Sequence, residues 1–358
     1  MEKILIVGAN GYFGSTLLKF LNYKKVYCEG VDINYFKKCN IFKKKNEKVL
    51  NICASRLTES YLKKFTTIIG FAGYSNNPVF KKEKKNFHDK EFKYLKKIAK
   101  ISKKNSINFI FPSSCSLYGA SKSKKLINEN GKLNPITHYS KNKLKVEKFL
   151  LNISNNKFKP IILRFSTLYG LSQKMRFDIV INMFCGSAIT SKKIELNSDG
   201  KVYRPFLEIT DACNAIYKVI KNKKKIRNQV FNVGSNSDNF KILDVAKIIQ
   251  KKVKYSKINF LQKEKKLVSD NIIKRGKDKR NYKVNFKRFK TTFSYKAKFN
   301  LDKGITKLLG DLKKINLNTK NFNSIKFYRL QYLEFLYKSR ILDKNMEFIK
   351  KKWLFPIK

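Results

Sequence analysis

Ile4-Leu5-Ile6-Val7-Gly8-Ala9-Asn10-Gly11-Tyr12-Phe13-Gly14 stands at the head of the chain, and its reading decides the fold. Lys3 to Val7 reads as a buried parallel strand, because Ile4 to Val7 offers no polar residue to face solvent on either side. Glycines at 8, 11 and 14 let the backbone turn tightly and approach a pyrophosphate. That group rests on the N-terminus of the following helix, predicted over Ser15 to Leu21. Working outward, the run Val26 to Val31 ends in Asp32, about 20 residues beyond the turn, where an acid bonds the adenosine ribose hydroxyls. Its carboxylate repels a 2′-phosphate, so the pattern predicts NAD as the cofactor, although Lys37 and Lys38 stand nearby. A tight turn and a strand-end cap are the plainer readings. The order strand, glycines, helix, strand, acid selects the dinucleotide. Gly8, Asn10, Gly11, Tyr12, Phe13, Gly14 and Asp32 are its first predicted contacts.

The alternation continues. Val49-Leu50-Asn51-Ile52 is a third strand, with Asn51 and Ile52 near the adenine edge. Ile68 to Gly73 is a fourth, where Phe71, Ala72 and Gly73 bring backbone against the cofactor. Glu83 to Ser102 reads as a Lys-rich amphipathic helix with Asn86 as a local support near its start. Asn108 to Phe111 is a fifth strand, and Pro112-Ser113-Ser114-Cys115-Ser116-Leu117-Tyr118-Gly119 leaves its C-terminal end. Ile161 to Phe165 is a sixth, with Phe165 toward the cofactor. Strands alternating with helices predict an α/β fold, a Rossmann-type doubly wound parallel sheet that binds ligands outside the carboxyl ends of its strands. After Gly170 the alternation breaks. We expect residues 1–170 plus 204–235 to form the NAD-binding domain, 171–203 plus 236–310 a smaller substrate-binding lobe, and 311–358 a C-terminal helical extension. Tyr328, Leu330, Leu333, Phe335, Leu336 and Ile341 give that extension an apolar face for the body or for a second copy. Trp353 reads as a packing anchor.

Tyr139 and Lys143 lie four residues apart at the start of a helical pattern carried on by Leu144, Val146, Phe149 and Leu150. That spacing stacks them on one helix face. A phenol with pKa of about 10 is a poor base at neutral pH, and a nearby ammonium favours its phenolate. Such a pair can pass a proton to or from a sugar hydroxyl while hydride moves to a nicotinamide ring. A hydroxyl from the Ser113–Ser116 cluster can bond the same oxygen. In a chain this rich in Lys and Tyr the pair alone would be an ordinary helix face; the strands before and after it give it meaning.

The formal net charge of +56 and the pI of about 10.1 would ordinarily suggest nucleic acid or an anionic surface. The cations are mostly Lys, are spread along all 358 residues, and come with abundant Asn, Ile, Phe and Tyr. That is the composition an AT-rich coding sequence produces, so a nucleic-acid partner is disfavoured. The Lys-rich stretches 223–225 and 263–266 read as solvated. Six Cys at 28, 39, 53, 115, 185 and 213 show no paired spacing, so free thiols are expected and no metal site is readable. The apolar run at the N-terminus is too short for a signal peptide, and no run approaches the roughly 20 residues of a membrane span. A cytoplasmic location is the expectation.

Taken together, these residues resemble the extended short-chain dehydrogenase/reductases, in the branch of NAD-dependent nucleotide-sugar epimerases and dehydratases. Gly8, Gly11 and Gly14, the SSCSLYG segment, the YxxxK pair, LRFSTLYG, RPFLEITDACNAI and FNVG carry the resemblance over nearly the whole chain. SNNP at 75–78, YGLSQKMRFDIVINMF at 169–184, DKRNYKVNF at 278–286 and FYRLQYLEFLYKSRILD at 327–343 point to a closer subgroup. The resemblance implies that Ser114 binds the reacting oxygen, that Tyr139 is the acid/base, and that Lys143 holds the nicotinamide ribose and depresses the Tyr139 pKa. It implies sugar-nucleotide phosphate contacts from Asn182, Arg204 and Arg280, with Arg275 as a rival to the last. Cys115 and Ser116 stand where the dehydratases and the sugar decarboxylase carry acids, which disfavours dehydration and that type of decarboxylation. The expectation is an epimerase at carbon 4 acting on a nucleotide sugar, as a homodimer. A ketoreductase using the same residues once is the alternative, and a non-catalytic dinucleotide-binding scaffold is the further one.

Overall fold

The computed structural model describes residues 2–42, 48–71, 73, 84–121, 125–222, 230–261, 273–274 and 277–349. Its first half runs β1 (Ile4–Val7), α1 (Tyr12–Tyr23), β2 (Cys28–Asp32), β3 (Val49–Asn51), α2 (Glu59–Leu62), β4 (Thr67–Gly70), α3 (Lys84–Lys104), β5 (Asn108–Ser114), α4 (His138–Asn152), β6 (Ile161–Phe165) and β7 (Thr167–Tyr169). Then follow α5 (Val180–Ser191), β8 (Lys193–Leu196), β9 (Tyr203–Glu208), α6 (Ile209–Asn222), β10 (Val230–Val233), β11 (Asn239–Lys241), α7 (Ile242–Lys252) and β12 (Lys257–Phe260). After β13 (Ile273–Lys274) and β14 (Lys277–Asp278) come α8 (Lys287–Phe293), α9 (Leu301–Lys314), α10 (Thr319–Phe322) and α11 (Arg329–Lys338).

Seven strands form one sheet in the order β10-β6-β5-β4-β1-β2-β3, every pair parallel. The reason is visible in β1. Ile4 and Ile6 enter the apolar core under α1 and α6, whereas Leu5 and Val7 enter the opposite core under α3 and α4. A strand buried on both faces must be apolar throughout, which is why its sequence does not alternate. Phe109 and Phe111 against Ile110 repeat the division on β5. Strand order reverses between β1 and β4, and ligands of such sheets sit at that reversal, outside the strand ends.

Beyond β6, β7, β9 and β11 make a second small sheet, while β8 pairs with β12. Phe177, Phe184, Ile194, Val245, Ile305 and Leu312 belong to the separate core that carries these elements. A further cluster seats Tyr332, Leu333, Leu336, Leu342 and Met346 on Cys39, Tyr35 and Phe36, the loop after β2. The C-terminal apolar face therefore packs on the chain's own body. All six cysteines are free thiols. No helix among the described residues is long and apolar enough to cross a membrane. SNNP at 75–78, Ala72, Arg275, Trp353, the side chain of Asn86 and the Lys-rich stretches 223–225 and 263–266 lie outside the described residues.

Candidate active site

α4 begins where Thr137 caps it. The Thr137 hydroxyl accepts the Ser140 amide at 2.9 Å and the Ser140 hydroxyl accepts the Thr137 amide at 3.1 Å, a reciprocal cap that fixes the first turn. Helical spacing then puts Tyr139, Lys143 and Glu147 in one stripe facing the sheet. Tyr139 is half-buried on the wall of a cavity of about 920 Å³ that also touches Ser114 and Lys143. Burial pushes the phenol up to about 12; the carboxylate of Glu91 adds to this, and a hydrogen bond with Ser114 and the charge of Arg176 oppose it.

The Lys143 ammonium lies 5.7 Å from the centre of the Tyr139 ring and has other neighbours closer. It lies 4.6 Å from the centre of the Phe111 ring and 3.7 Å from a carboxylate oxygen of Glu91, itself 1% exposed. Burial holds Lys143 below the ordinary lysine range against the pull of Glu91 and Glu147. The Glu91 carboxylate thus offsets part of the ammonium's charge while itself resisting phenolate formation on Tyr139. Glu91 was not among the expected site residues. A signal existed: Glu91, Leu95 and Ile98 share the buried stripe of α3, so an acid sits where only apolar residues belong. Glu91→Gln is expected to move the Tyr139 titration to lower pH, because it removes a charge that resists phenolate formation. A 295 nm alkaline titration, taken as the difference from the same protein with Tyr139→Phe, reads the shift.

Behind the Ser cluster, β5 runs on to Ser114, and Ser113 donates to the buried Glu147 carboxylate. Arg164 of β6 grips that carboxylate through Nε at 3.1 Å and Nη2 at 2.7 Å, and its Nη1 reaches the Glu129 carbonyl and the Tyr118 hydroxyl. This network locks α4, which carries Tyr139, to β5, which carries Ser114. Cys115 is buried with its thiol on the Arg164 carbonyl at 3.1 Å, and burial pushes that thiol up. Ser116 reaches the cavity, and its hydroxyl has no hydrogen-bond partner among the described residues.

The cavity's other half is built from Gly8, Gly11, Tyr12, Phe13, Gly14, Asp32, Ile52, Phe71, Gly73 and Phe165. Gly8 has φ 94°, and a Cβ on Gly14 would lie 2.2 Å from the Gly8 carbonyl, so neither position accepts a side chain. α1 starts at Gly11 with no side-chain cap and no acid in its first turn. Its first amides thus face the cavity uncompensated, which suits a diphosphate. Asp32 accepts the amides of Asn10 at 2.9 Å and Asn34 at 2.7 Å; burial pushes its carboxyl up against those bonds. The residues fit a dinucleotide.

Two expected contacts sit elsewhere. Asn10 is not on the wall; its amide holds Asp32 and its side chain donates to Asn34, so it supports the acid. Asn51 is exposed at the end of β3 and is not on the cavity wall.

Toward the lobe the wall carries Arg204 and Arg280, both paired with Asp278 at 2.9 and 3.0 Å. Arg204 stacks on Tyr282, its guanidinium carbon 4.9 Å from the ring centre. Burial would raise the Asp278 carboxyl, yet the two arginines hold it below the usual carboxylate range. Asn182 does not reach the cavity. It is fully buried, its amide nitrogen donating to the Tyr12 hydroxyl and the Arg176 carbonyl while its oxygen accepts the Gly170 amide, so no group is left for a phosphate. Arg176, bound to Asp178 at 2.8 Å, and Arg329 line the wall instead. Neither was singled out from the sequence, where each is one basic residue among 81.

The sequence profile of the NAD dependent epimerase/dehydratase family matches residues 4–234. A curated relative, the bifunctional polymyxin resistance protein ArnA of Wigglesworthia glossinidia brevipalpis, is 26% identical over 279 residues, covering 70% of this chain. The chain spans 41% of that relative's length. Among solved structures, the NAD-dependent NDP-hexosamine 5,6-dehydratase TunA superposes with TM-score 0.74 at 18% identity, covering 88% of this chain and 98% of its own. UDP-glucuronic acid 4-epimerase of Bacillus cereus, solved with UDP-glucuronic acid and NAD, gives TM-score 0.71 at 20% identity, covering 87% and 99%. With residues 4–234, well over half of its 358 residues, matched by the profile and a dinucleotide crevice at the sheet's reversal, the chain belongs to the NAD-dependent epimerase/dehydratase family, with NAD as its cofactor.

Proposed function

We propose that this enzyme is a nucleotide-sugar epimerase acting at carbon 4 through a transient 4-keto sugar. The observation that carries the reading is the convergence of Ser114, Tyr139 and Lys143 on one cavity with no acid beside Ser114. Cys115 is buried and bonded, and Ser116 is a neutral hydroxyl, so neither protonates a leaving hydroxyl. Bound NAD supplies the hydride acceptor and donor. Tyr139, as phenolate, takes the hydroxyl proton and gives it back; Ser114 bonds the oxygen in both states; Lys143 provides the positive charge that balances the phenolate. Arg204 and Arg280 receive the sugar nucleotide's phosphates, for which the guanidinium fork is suited. In this proposal residues 1–170 plus 204–235 serve the cofactor, 171–203 plus 236–310 the sugar nucleotide, and 311–358 completes the body. The solved relatives include a 4-epimerase with the same overall fold. The homodimer belongs to the proposal too and is read by light scattering.

Rapid mixing with UDP-, GDP-, CDP- and dTDP-sugars tests it. A 340 nm absorbance that rises and decays without added cofactor, with an isomeric sugar as product, is expected. Net oxidation of added NAD(P)H with a nucleotide keto sugar as substrate and the hydroxy sugar as product would instead establish a reductase.

A further inference from the structure

The dinucleotide crevice has two banks, the loop after β2 on one side and α3 on the other. The C-terminal segment 329–349 touches both. On the first bank Tyr35 donates to the Met346 carbonyl, and Phe36 packs against Tyr332 with ring centres 6.1 Å apart. On the second, Lys90 donates to the Asn345 carbonyl at 2.9 Å. Leu330, Leu333, Asn345 and Met346 line the same cavity as Gly11 and Asp32. The segment therefore crosses the crevice from bank to bank.

Arg329 opens this crossing and is 3% exposed. Its guanidinium carbon lies 3.9 Å from the centre of the Phe36 ring, and Nη2 donates to the Lys174 carbonyl at 2.8 Å. Nη1 is buried with no hydrogen-bond partner among the described residues, and Arg329 lines the cavity. Asp32, Arg176 and Asp178, whose charges act on it, line the same cavity. It thus shares one cavity with the glycine turn, with Asp32 and with Arg176, whose charge acts on Tyr139, and a dinucleotide's diphosphate must lie between the groups that bind its two ends. A buried guanidinium with an unused N–H, beside a second arginine, is costly until an anion joins it. Burial and Arg176 push Arg329 down to about 10, in keeping with a cation lacking its counter-charge.

We propose that Arg329 is a ligand for the cofactor's diphosphate, and that segment 329–349 is the strap that delivers it across the crevice. Helix α1 offers its amides from below and Arg329 closes the same phosphates from above. The inference rests on NAD binding and not on the choice of reaction, so a protein that binds NAD this way yet fails to epimerise any sugar leaves it intact.

Calorimetry on the full chain with Arg329→Met, using NAD, ADP-ribose, adenosine and UDP as separate probes, tests the assignment. NAD and ADP-ribose are expected to weaken on the order of 10- to 100-fold, the worth of a charged hydrogen bond, while adenosine and UDP bind as before. Arg329→Lys restores only part of the loss, because it keeps the charge without the fork. Unchanged ADP-ribose affinity overturns the proposal, as does an equal loss for adenosine, which would mean a structural role. A loss confined to UDP would move Arg329 to the substrate's diphosphate and overturn it as well. Should Arg329→Met fail to fold, the unaltered protein decides: ADP-ribose must slow amide hydrogen exchange across 329–349, and no slowing refutes the strap.

Discussion

Tyr139→Phe is expected to lower kcat for nucleotide-sugar turnover by on the order of 10²- to 10⁴-fold, the usual worth of one positioned acid/base. The substitution deletes a single oxygen from a half-buried ring, so the fold and the NAD affinity should persist. Wild-type-like NAD binding alongside the loss of turnover separates a chemical role from a packing one. The pH dependence carries a sign as well. With the phenol held at about 12 by burial and by Glu91, phenolate is scarce at neutral pH. Activity that depends on phenolate rises with pH, and in Glu91→Gln the rise begins at lower pH. Turnover that survives Tyr139→Phe within threefold or so would remove Tyr139 from the chemistry.

Arg164→Met carries the largest expected effect on stability. Arg164 and Glu147 are buried, with side chains 5% and 1% exposed, and share two short hydrogen bonds. Removing the cation strands a carboxylate in the interior, a loss of about 3–5 kcal/mol in comparable cases. The urea midpoint should fall accordingly with little change in slope. Replacing both partners, Arg164→Met with Glu147→Leu, is expected to recover much of the loss in stability, since an apolar pair of similar volume tolerates the site. Activity is expected to stay low in that double variant, because Ser113 loses the partner that ties β5 to α4. A full recovery of kcat would show that the network serves stability alone.

The sheet was legible because strands buried on both faces leave continuous apolar runs, and β1, β5 and β6 fall where those runs lie. The glycine turn and Asp32 were legible because their chemistry is local: strand, turn, helix and acid lie within one short stretch. What escaped was long-range and polar. Nothing local says that Arg164 meets Glu147 across 17 residues, or that Glu91 reaches Lys143 across 52. Asn182 shows the converse failure. Its motif suggests a ligand contact, whereas the folded chain satisfies every one of its polar atoms. Arg329 lay in a stretch read for its apolar face, so the cation within it drew no functional reading.

That satisfied asparagine has a practical consequence for anyone who would re-engineer the protein. Through Asn182, the Tyr12 hydroxyl of the cofactor turn, the Gly170 backbone and α5 are fastened at a single buried point. If residues 171–203 carry specificity as proposed, it cannot be swapped by transplanting them from a relative as a free-standing cassette. A graft lacking the asparagine, or a recipient lacking Tyr12, is expected to loosen the cofactor turn before it alters the proposed substrate choice, so chimeras should exchange both sides of that joint together.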